Sequence, residues 1–353
     1  MRIGVFCTNE YTTPPPKGII YAPLVVAQQV ADGLTERGHD VTVYAPRGSR
    51  MKSKIITSEL RPLYNEPKLK EFNAINLERG VASYENIALS DLFRHAQKGK
   101  YDILHIHPSI RAVFYAPLVK IPVVFTLHDP LLPGKSFFYN KVRAKNIHYV
   151  SISNAQRRPA PKLPWTSTIY NGVDLRRFPF QKTHGKHLVI VGRMKVEKGI
   201  YEAILAARKT RTPLKIAGGP AQGPYWERKI KPYLSNTIKH VGMLPYSKIP
   251  KFISEARGFL FPIKWEEPFG LVMIESMATG TPVIAFNRGS VSEIMKNNKT
   301  GFIVNNFNGM VRAIGKLDDI DRRICRDHVE KNFSIEKMIN GYEDTFKKLT
   351  RKK

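Results

Sequence analysis

Along the first half of the chain, short apolar runs alternate with longer stretches in which apolar residues recur at helical spacing. Arg2 to Thr8, Val41 to Ala45, Ile103 to Ile106, Val123 to Leu127 and His148 to Ser151 read as strands. Near-continuous apolar runs of this length suit strands covered on both faces. Leu24 to Arg37 reads as a helix, and Gly38 supplies the left-handed backbone that closes it before His39-Asp40 leads into the next strand. Repeated strand-helix-strand units predict a parallel sheet between two layers of helices. After the turn-like Asn171-Gly172-Val173-Asp174 and the polar stretch Gln181 to Lys186 the pattern begins afresh. Leu188 to Val191, Leu214 to Ala217, Ile238 to Val241, Gly258 to Phe261 and Val283 to Ala285 give a second set of strands. The expected organisation is an N-terminal α/β domain over 1–178, a second α/β domain over 179–332, and a closing segment, 333–353, that carries a helix from Ile335 to Leu349. A cleft between two such domains is the expected site.

At 353 residues, with 42% hydrophobic content, 15 Tyr and 18 Phe, the chain has enough apolar surface for two cores. No apolar run approaches the roughly 18 residues of a membrane helix, and the stretch after Met1 is too short for a signal peptide. A cytoplasmic protein is expected. Cys7 and Cys325 lack spaced partners, so they read as packing residues and not as a disulfide or a zinc site. The net charge of +28 is spread along both halves of the chain, so no basic tail accounts for it. Such a field favours anionic ligands: nucleotide sugars, an anionic membrane surface touched peripherally, or nucleic acid without specificity.

The most informative segment is Trp265-Glu266-Glu267-Pro268-Phe269-Gly270-Leu271, which runs on to Glu275. Pro268 and Gly270 mark a loop turning into a helix near Leu271. Its first amides, with the positive end of the helix dipole, make a seat for a diphosphate, and Gly270 lets the ligand approach closely. Glu267 precedes the helix and Glu275 lies about one turn inside it, so one carboxylate can reach each end of a bound diphosphate. Carboxylates accept hydrogen bonds from hydroxyls, which suits Glu267 to a sugar and Glu275 to a ribose. The loop Gly192-Arg193-Met194-Lys195-Val196-Glu197-Lys198-Gly199 ends a strand and delivers cations. Arg193 and Lys198 can clamp the phosphates, the first by forked hydrogen bonds and the second as a compact charge. The donor site is therefore expected to include Gly192, Phe269, Gly270, Leu271 and Glu275.

Taken together, these segments resemble the retaining glycosyltransferases of family 4. Two Glu with seven residues between them, preceded by the Gly-Arg...Glu-Lys-Gly loop, form that family's signature. Arg37-Gly38-His39-Asp40-Val41, Thr126-Leu127-His128-Asp129, Asn171-Gly172-Val173-Asp174 and Gly280-Thr281-Pro282-Val283-Ile284 extend the likeness over most of the chain. The resemblance implies a GT-B fold, with two Rossmann-like domains facing a cleft, and a last helix that returns to the N-terminal domain. It implies transfer of a hexose-type sugar from a nucleotide diphosphate donor to a hydroxyl acceptor, with retention, no metal and no cofactor beyond the donor as co-substrate. Arg193 and Lys198 would then bind the diphosphate, Glu267 the sugar and Glu275 the ribose, and His128 would lie beside the sugar near the reacting carbon. One departure stands in the first loop. The family's Gly-Gly pair is Gly18-Ile19 here, so Gly18 remains for the donor while Ile19 can crowd the acceptor side.

His105-Ile106-His107 puts two imidazoles on one face of a strand, but with no further ligand nearby it reads as strand packing and not as a metal site. Ala217-Gly218-Gly219-Pro220 lacks the full dinucleotide fingerprint, and no Gly-Lys-Ser/Thr phosphate loop or Gly-x-Ser-x-Gly elbow occurs. Two alternatives stay open. One is a nucleotide-sugar epimerase on the same fold, which would need no acceptor. The other is a basic module, binding nucleic acid or a membrane, on an inactive scaffold of this type.

Overall fold

The computed structural model describes residues 1–16, 18–19, 21–67 and 74–351, the side chains of 74–77 excepted. The chain forms two compact units. Met1–Tyr170 and Glu336–Lys353 make the first, and Asn171–Ile335 the second. Val173 pairs with Ser334 in a parallel bridge of the second unit.

The strands of the first unit are β1 (Arg2–Phe6), β2 (Asp40–Tyr44), β3 (Lys54–Ile56), β4 (Ile103–Ile106), β5 (Val123–Leu127), β6 (Ile147–Ser151) and β7 (Trp165–Thr168). All pairings are parallel, in the order β3-β2-β1-β4-β5-β6-β7. Its helices are α1 (Ala22–Glu36), α2 (Ala74–Gln97), α3 (Ala112–Tyr115) and α4 (Pro133–Lys141). In β5 every residue of Val123-Val124-Phe125-Thr126-Leu127 is buried, as a strand covered on both faces requires. Leu24, Val26, Ala27, Val30, Ala31 and Leu34 make the buried stripe of α1.

The second unit repeats the plan with six parallel strands: β8 (Leu188–Val191), β9 (Leu214–Ala217), β10 (Ile238–His240), β11 (Gly258–Phe261), β12 (Val283–Phe286) and β13 (Gly301–Val304). Their order is β10-β9-β8-β11-β12-β13. Helices α5 (Ile200–Lys209), α6 (Ile249–Ser254), α7 (Leu271–Ala278), α8 (Val291–Ile294), α9 (Phe307–Ile314) and α10 (Arg322–Asn332) belong to this unit. The buried Arg322 guanidinium donates to the carbonyls of Gln181, Ser254 and Ala256 and to Thr281 Oγ1, at 2.8–3.0 Å. Burial lowers its pKa to about 10.

The last helix, α11 (Ile335–Thr350), packs on the first unit. A Cβ at Gly33 of α1 would lie 2.2 Å from Ile339 Cδ1, so a larger residue there would displace the Ile339 side chain. Glu343 binds Arg37 at 2.7 Å, His39 at 3.1 Å and Lys347 at 2.7 Å, and these partners hold its carboxyl down at about 2. Among the described residues no helix is long and apolar enough to cross a membrane.

Candidate active site

In each sheet the strand order reverses direction once, between β1 and β4 in the first unit and between β8 and β11 in the second. The loops leaving the carboxyl ends of strands at such a reversal splay apart, one to each side, and leave a crevice where ligands of open α/β sheets bind. Gly18, Gly192, Arg193 and Lys198 lie in segments that leave β1 or β8, Glu267, Phe269, Gly270, Leu271 and Glu275 lie in the segment after β11, and His128 follows β5, the neighbour of β4.

In the second unit, β8 runs into Gly192–Gly199 and β11 into the loop before α7. The two loops are joined: Lys264 N–H donates to the Glu197 carbonyl at 2.9 Å, and the Lys198 ammonium binds Glu267 Oε2 at 2.9 Å while lying 4.9 Å from the centre of the Trp265 ring. Trp265 Nε1–H donates to the same carboxylate oxygen at 2.9 Å. Nothing in the local spacing pairs Lys198, expected at phosphate, with Glu267, expected at the sugar, or marks Trp265. With both donors on Oε2, Oε1 of Glu267 is the oxygen left for a ligand hydroxyl. Arg193 is exposed and forms no ion pair among the described residues.

Gly270 sits at the head of α7 with φ +78°, in the left-handed region. A Cβ there would meet Met273 Cε at 2.7 Å and Phe261 Cζ at 3.3 Å, so the tight entry into the helix demands glycine. The loop before it is held by its neighbour after β12. Ser290 N–H donates to the Glu267 carbonyl at 3.0 Å, Ser290 Oγ to the Phe269 carbonyl at 2.9 Å, and Gly289 N–H to Glu266 at 2.8 Å. No sequence signal singled out Gly289 or Ser290. The Phe269 ring is buried with its edge toward Phe333 at 6.1 Å, so only its backbone can face a ligand. Leu271 opens α7, with its amide at the positive end of the helix.

Glu275 lies inside α7 and is buried. Tyr246 donates its hydroxyl proton to Glu275 Oε1 at 2.7 Å, and the Arg177 guanidinium stacks on the Tyr246 ring at 4.8 Å. Burial pushes the carboxyl up to about 7, while the Tyr246 hydrogen bond and the Arg177 charge pull the other way. Tyr246 and Arg177 stand far from Glu275 in sequence, and no motif links them.

In the first unit, His128 follows β5 and is partly exposed. Its Nε2 lies 2.8 Å from His107 Nδ1, and the two rings stack at 5.1 Å. His107, which follows β4, belongs to the pair read as strand packing. The structure couples it directly to the candidate residue, because β4 and β5 are neighbours in register, His105 opposite Val124. Gly18 lies in the loop after β1 with φ +89° and open space around it, and Ile19 is exposed. Lys17 and Ile20 of that loop lie outside the described residues.

Among the described residues no group of three His, Cys, Asp or Glu side chains is placed to hold a metal ion. A concavity of about 540 Å³ in the second unit, lined by Phe180, Lys182, His184, Arg257, Asp318 and Arg322 among others, contains none of the candidate residues.

The family model of the glycosyl transferases group 1 matches residues 174–319, and that of Glycosyltransferase Family 4 matches 25–177. Glycogen synthase of Mycobacterium tuberculosis is 27% identical over 230 residues, which cover 57% of this chain and 55% of that protein. The chain thus spans about half the length of the first curated relatives it matches. Sucrose-phosphate synthase from Thermosynechococcus elongatus superposes with a TM-score of 0.76 at 16% identity, covering 100% of both chains. HepE of Anabaena, solved in complex with UDP-glucose, superposes with a TM-score of 0.72 at 14% identity, covering 99% of this chain and 100% of its own. At these identities the solved structures speak for the fold. With two adjoining family models running from 25 to 319 and this architecture shared along the whole chain, the protein belongs to family 4 of the glycosyltransferases and has the GT-B fold.

Proposed function

We propose that this chain transfers a hexose-type sugar from a nucleotide diphosphate donor to a hydroxyl acceptor, with retention at the anomeric carbon and without a metal ion. The observation that carries the reading is the meeting of the Gly192–Gly199 loop and the head of α7 at the β8/β11 reversal. There an ammonium anchored on Glu267 joins the head of α7 to the loop that also carries the exposed Arg193, all within one unit. Arg193, Lys198 and the amides at Leu271 hold the diphosphate, with Gly192 and Gly270 leaving room for it. Glu267 Oε1 accepts from a sugar hydroxyl, and Glu275 from the ribose. His128 contacts the sugar.

As the glycosidic bond breaks, its electron pair passes to the diphosphate oxygen, whose growing charge Arg193 and Lys198 stabilise. The acceptor hydroxyl attacks on the face that the diphosphate leaves and gives up its proton to that same leaving oxygen. Catalysis on this account is positional and electrostatic. The HepE complex makes UDP-glucose the first donor to try.

Calorimetric titration with UDP and UDP-glucose in excess EDTA, followed by other nucleotide sugars, tests the donor site. Binding that persists in EDTA and weakens in Arg193→Ala is the expected result. No binding of any nucleotide sugar, or binding that returns only with added magnesium or manganese, would sink the reading. Epimer formed from donor alone would instead identify a nucleotide-sugar epimerase.

A further inference from the structure

Three imidazoles gather at the carboxyl edge of the first unit's sheet, and the proposed reaction uses one of them. His105 and His107 lie with ring centres 4.2 Å apart, and His107 stacks on His128 at 5.1 Å with the planes 19° apart. The polar contacts are few and specific. His107 Nδ1 meets His128 Nε2 at 2.8 Å, His105 Nε2 meets Thr126 Oγ1 at 2.9 Å, and Thr126 Oγ1–H donates to the Tyr342 hydroxyl oxygen at 3.2 Å. Two nitrogens, His105 Nδ1 and His107 Nε2, are buried with no partner among the described residues. His128 Nδ1 is the nitrogen of that ring left for a ligand.

A hydrogen bond between two neutral imidazoles needs one proton on one side of the contact. The unpaired nitrogens decide which side has it. Were the His107 proton on Nε2, a buried N–H would be orphaned, whereas a proton on Nδ1 orphans only a lone pair. Buried N–H groups without partners are rarer than under-satisfied acceptors. His105 follows the same logic. Thr126 spends its proton on Tyr342, so His105 must donate from Nε2, which again leaves a bare lone pair at the unpaired nitrogen. Burial lowers His105 to about 3 and His107 well below the ordinary range, and desolvation lowers the partly exposed His128 to about 4.

We propose that His107 is a positioning residue that donates from Nδ1 to His128 Nε2 and so holds His128 with its proton on Nδ1, as a neutral hydrogen-bond donor toward the ligand. The tautomer stands on the hydrogen-bond geometry of neutral rings; its consequence for catalysis rests on the reading of His128 as a sugar contact. With Nε2 engaged by His107 and Nδ1 already protonated, His128 has no lone pair with which to take the acceptor's proton. It can stabilise an oxygen of the sugar, and the proton has to leave by way of the diphosphate.

Nitrogen NMR of ¹⁵N-imidazole-labelled full-length protein, without ligand, reads the tautomer directly. Wild type should show His128 protonated at Nδ1. His107→Asn, whose amide N–H lies close to the place of Nδ1, should keep that state. His107→Phe should release His128 to the Nε2–H form that free imidazole prefers. Turnover should fall roughly tenfold in His107→Phe and stay within about twofold of wild type in His107→Asn, with the donor KM unchanged in both. If His107→Phe does not fold, His107→Gln, whose amide falls at the place of Nε2, replaces it. A wild-type His128 protonated at Nε2, or an unchanged tautomer in the Phe or Gln variant, overturns the proposal. Full transfer activity in His128→Ala would refute the catalytic reading of that residue and leave the tautomer result standing.

Discussion

The two sheets present different chemistry at equivalent places. Beside the β1/β4 reversal the groups on offer are imidazoles, packed ring against ring and lowered in pKa by desolvation. At the β8/β11 reversal they are ions: the Lys198–Glu267 pair, exposed Arg193, and Glu275 poised near neutrality. One backbone plan thus supports both, because the sheet fixes where the loops emerge and the loop residues fix the charge. A dianionic diphosphate calls for the second kind of surface, and a sugar ring rich in hydroxyls is well served by the first. The second unit also separates its cations by task. Arg322 spends its guanidinium on four acceptors within the fold, while Arg193 spends none.

That separation sets the order of expected effects. Arg322→Ala should cost the most stability, on the order of 3 kcal/mol or more, because it strands buried carbonyls at Gln181, Ser254 and Ala256. Arg322→Lys should not restore it, since one ammonium cannot span four acceptors. Urea melts of both variants check this, and near-normal stability in either would end the distinction between the two cations. Arg193→Ala should leave the melt unchanged and lower kcat on the order of 10²-fold. Steady-state kinetics with normal turnover would return Arg193 to the ordinary surface.

The charge state of Glu275 moves near neutral pH. Its folded pKa of about 7 lies above the ordinary 4.5, so the folded protein holds the extra proton between those values. Its contribution to stability is therefore present at low pH and is lost as pH rises through about 7. Relative to Glu275→Gln, wild type should lose on the order of 2 kcal/mol between pH 5 and pH 8, read from melts at each pH. Donor affinity should move the opposite way, tightening over the same range as the carboxylate forms. A flat difference across pH would mean that Glu275 is ionised throughout. The smallest effect is expected in the first unit. The carbon-bound ring protons of His105, His107 and His128 should not shift by NMR between about pH 8 and pH 5.5, although a free imidazole titrates in that window. A titration near 6.5 in any of the three would erase the contrast between the sheets.

Much of this architecture is legible along the chain. Strands β4, β5, β8, β9 and β11 fall on the expected runs end to end, and α7 begins at Leu271 as expected. The strands that escaped notice are β3, β7 and β13, each at the edge of its sheet. An edge strand has one neighbour and partial exposure, so Trp165-Thr166-Ser167-Thr168, all half-buried, carries no apolar run to read. The site divides in the same way. Residues within one loop or one helix turn, such as Glu267, Gly270 and Glu275, show in sequence because local spacing puts them together. Tyr246 against Glu275, His107 against His128, and Ser290 against the Glu267 loop come together only through the strand order, which no single segment encodes.

The first unit is built from both sides of the second. Ile339 fills the space at Gly33, Glu343 holds Arg37 and His39, and Tyr342 takes the Thr126 hydroxyl proton. All these contacts come from residues that the ribosome adds after every residue of the second unit has been joined. The leading segment therefore emerges first and is finished last. Until α11 is made, the groove at Gly33 and the Thr126 end of the imidazole chain wait without their cover, while the second unit has its whole sequence in hand.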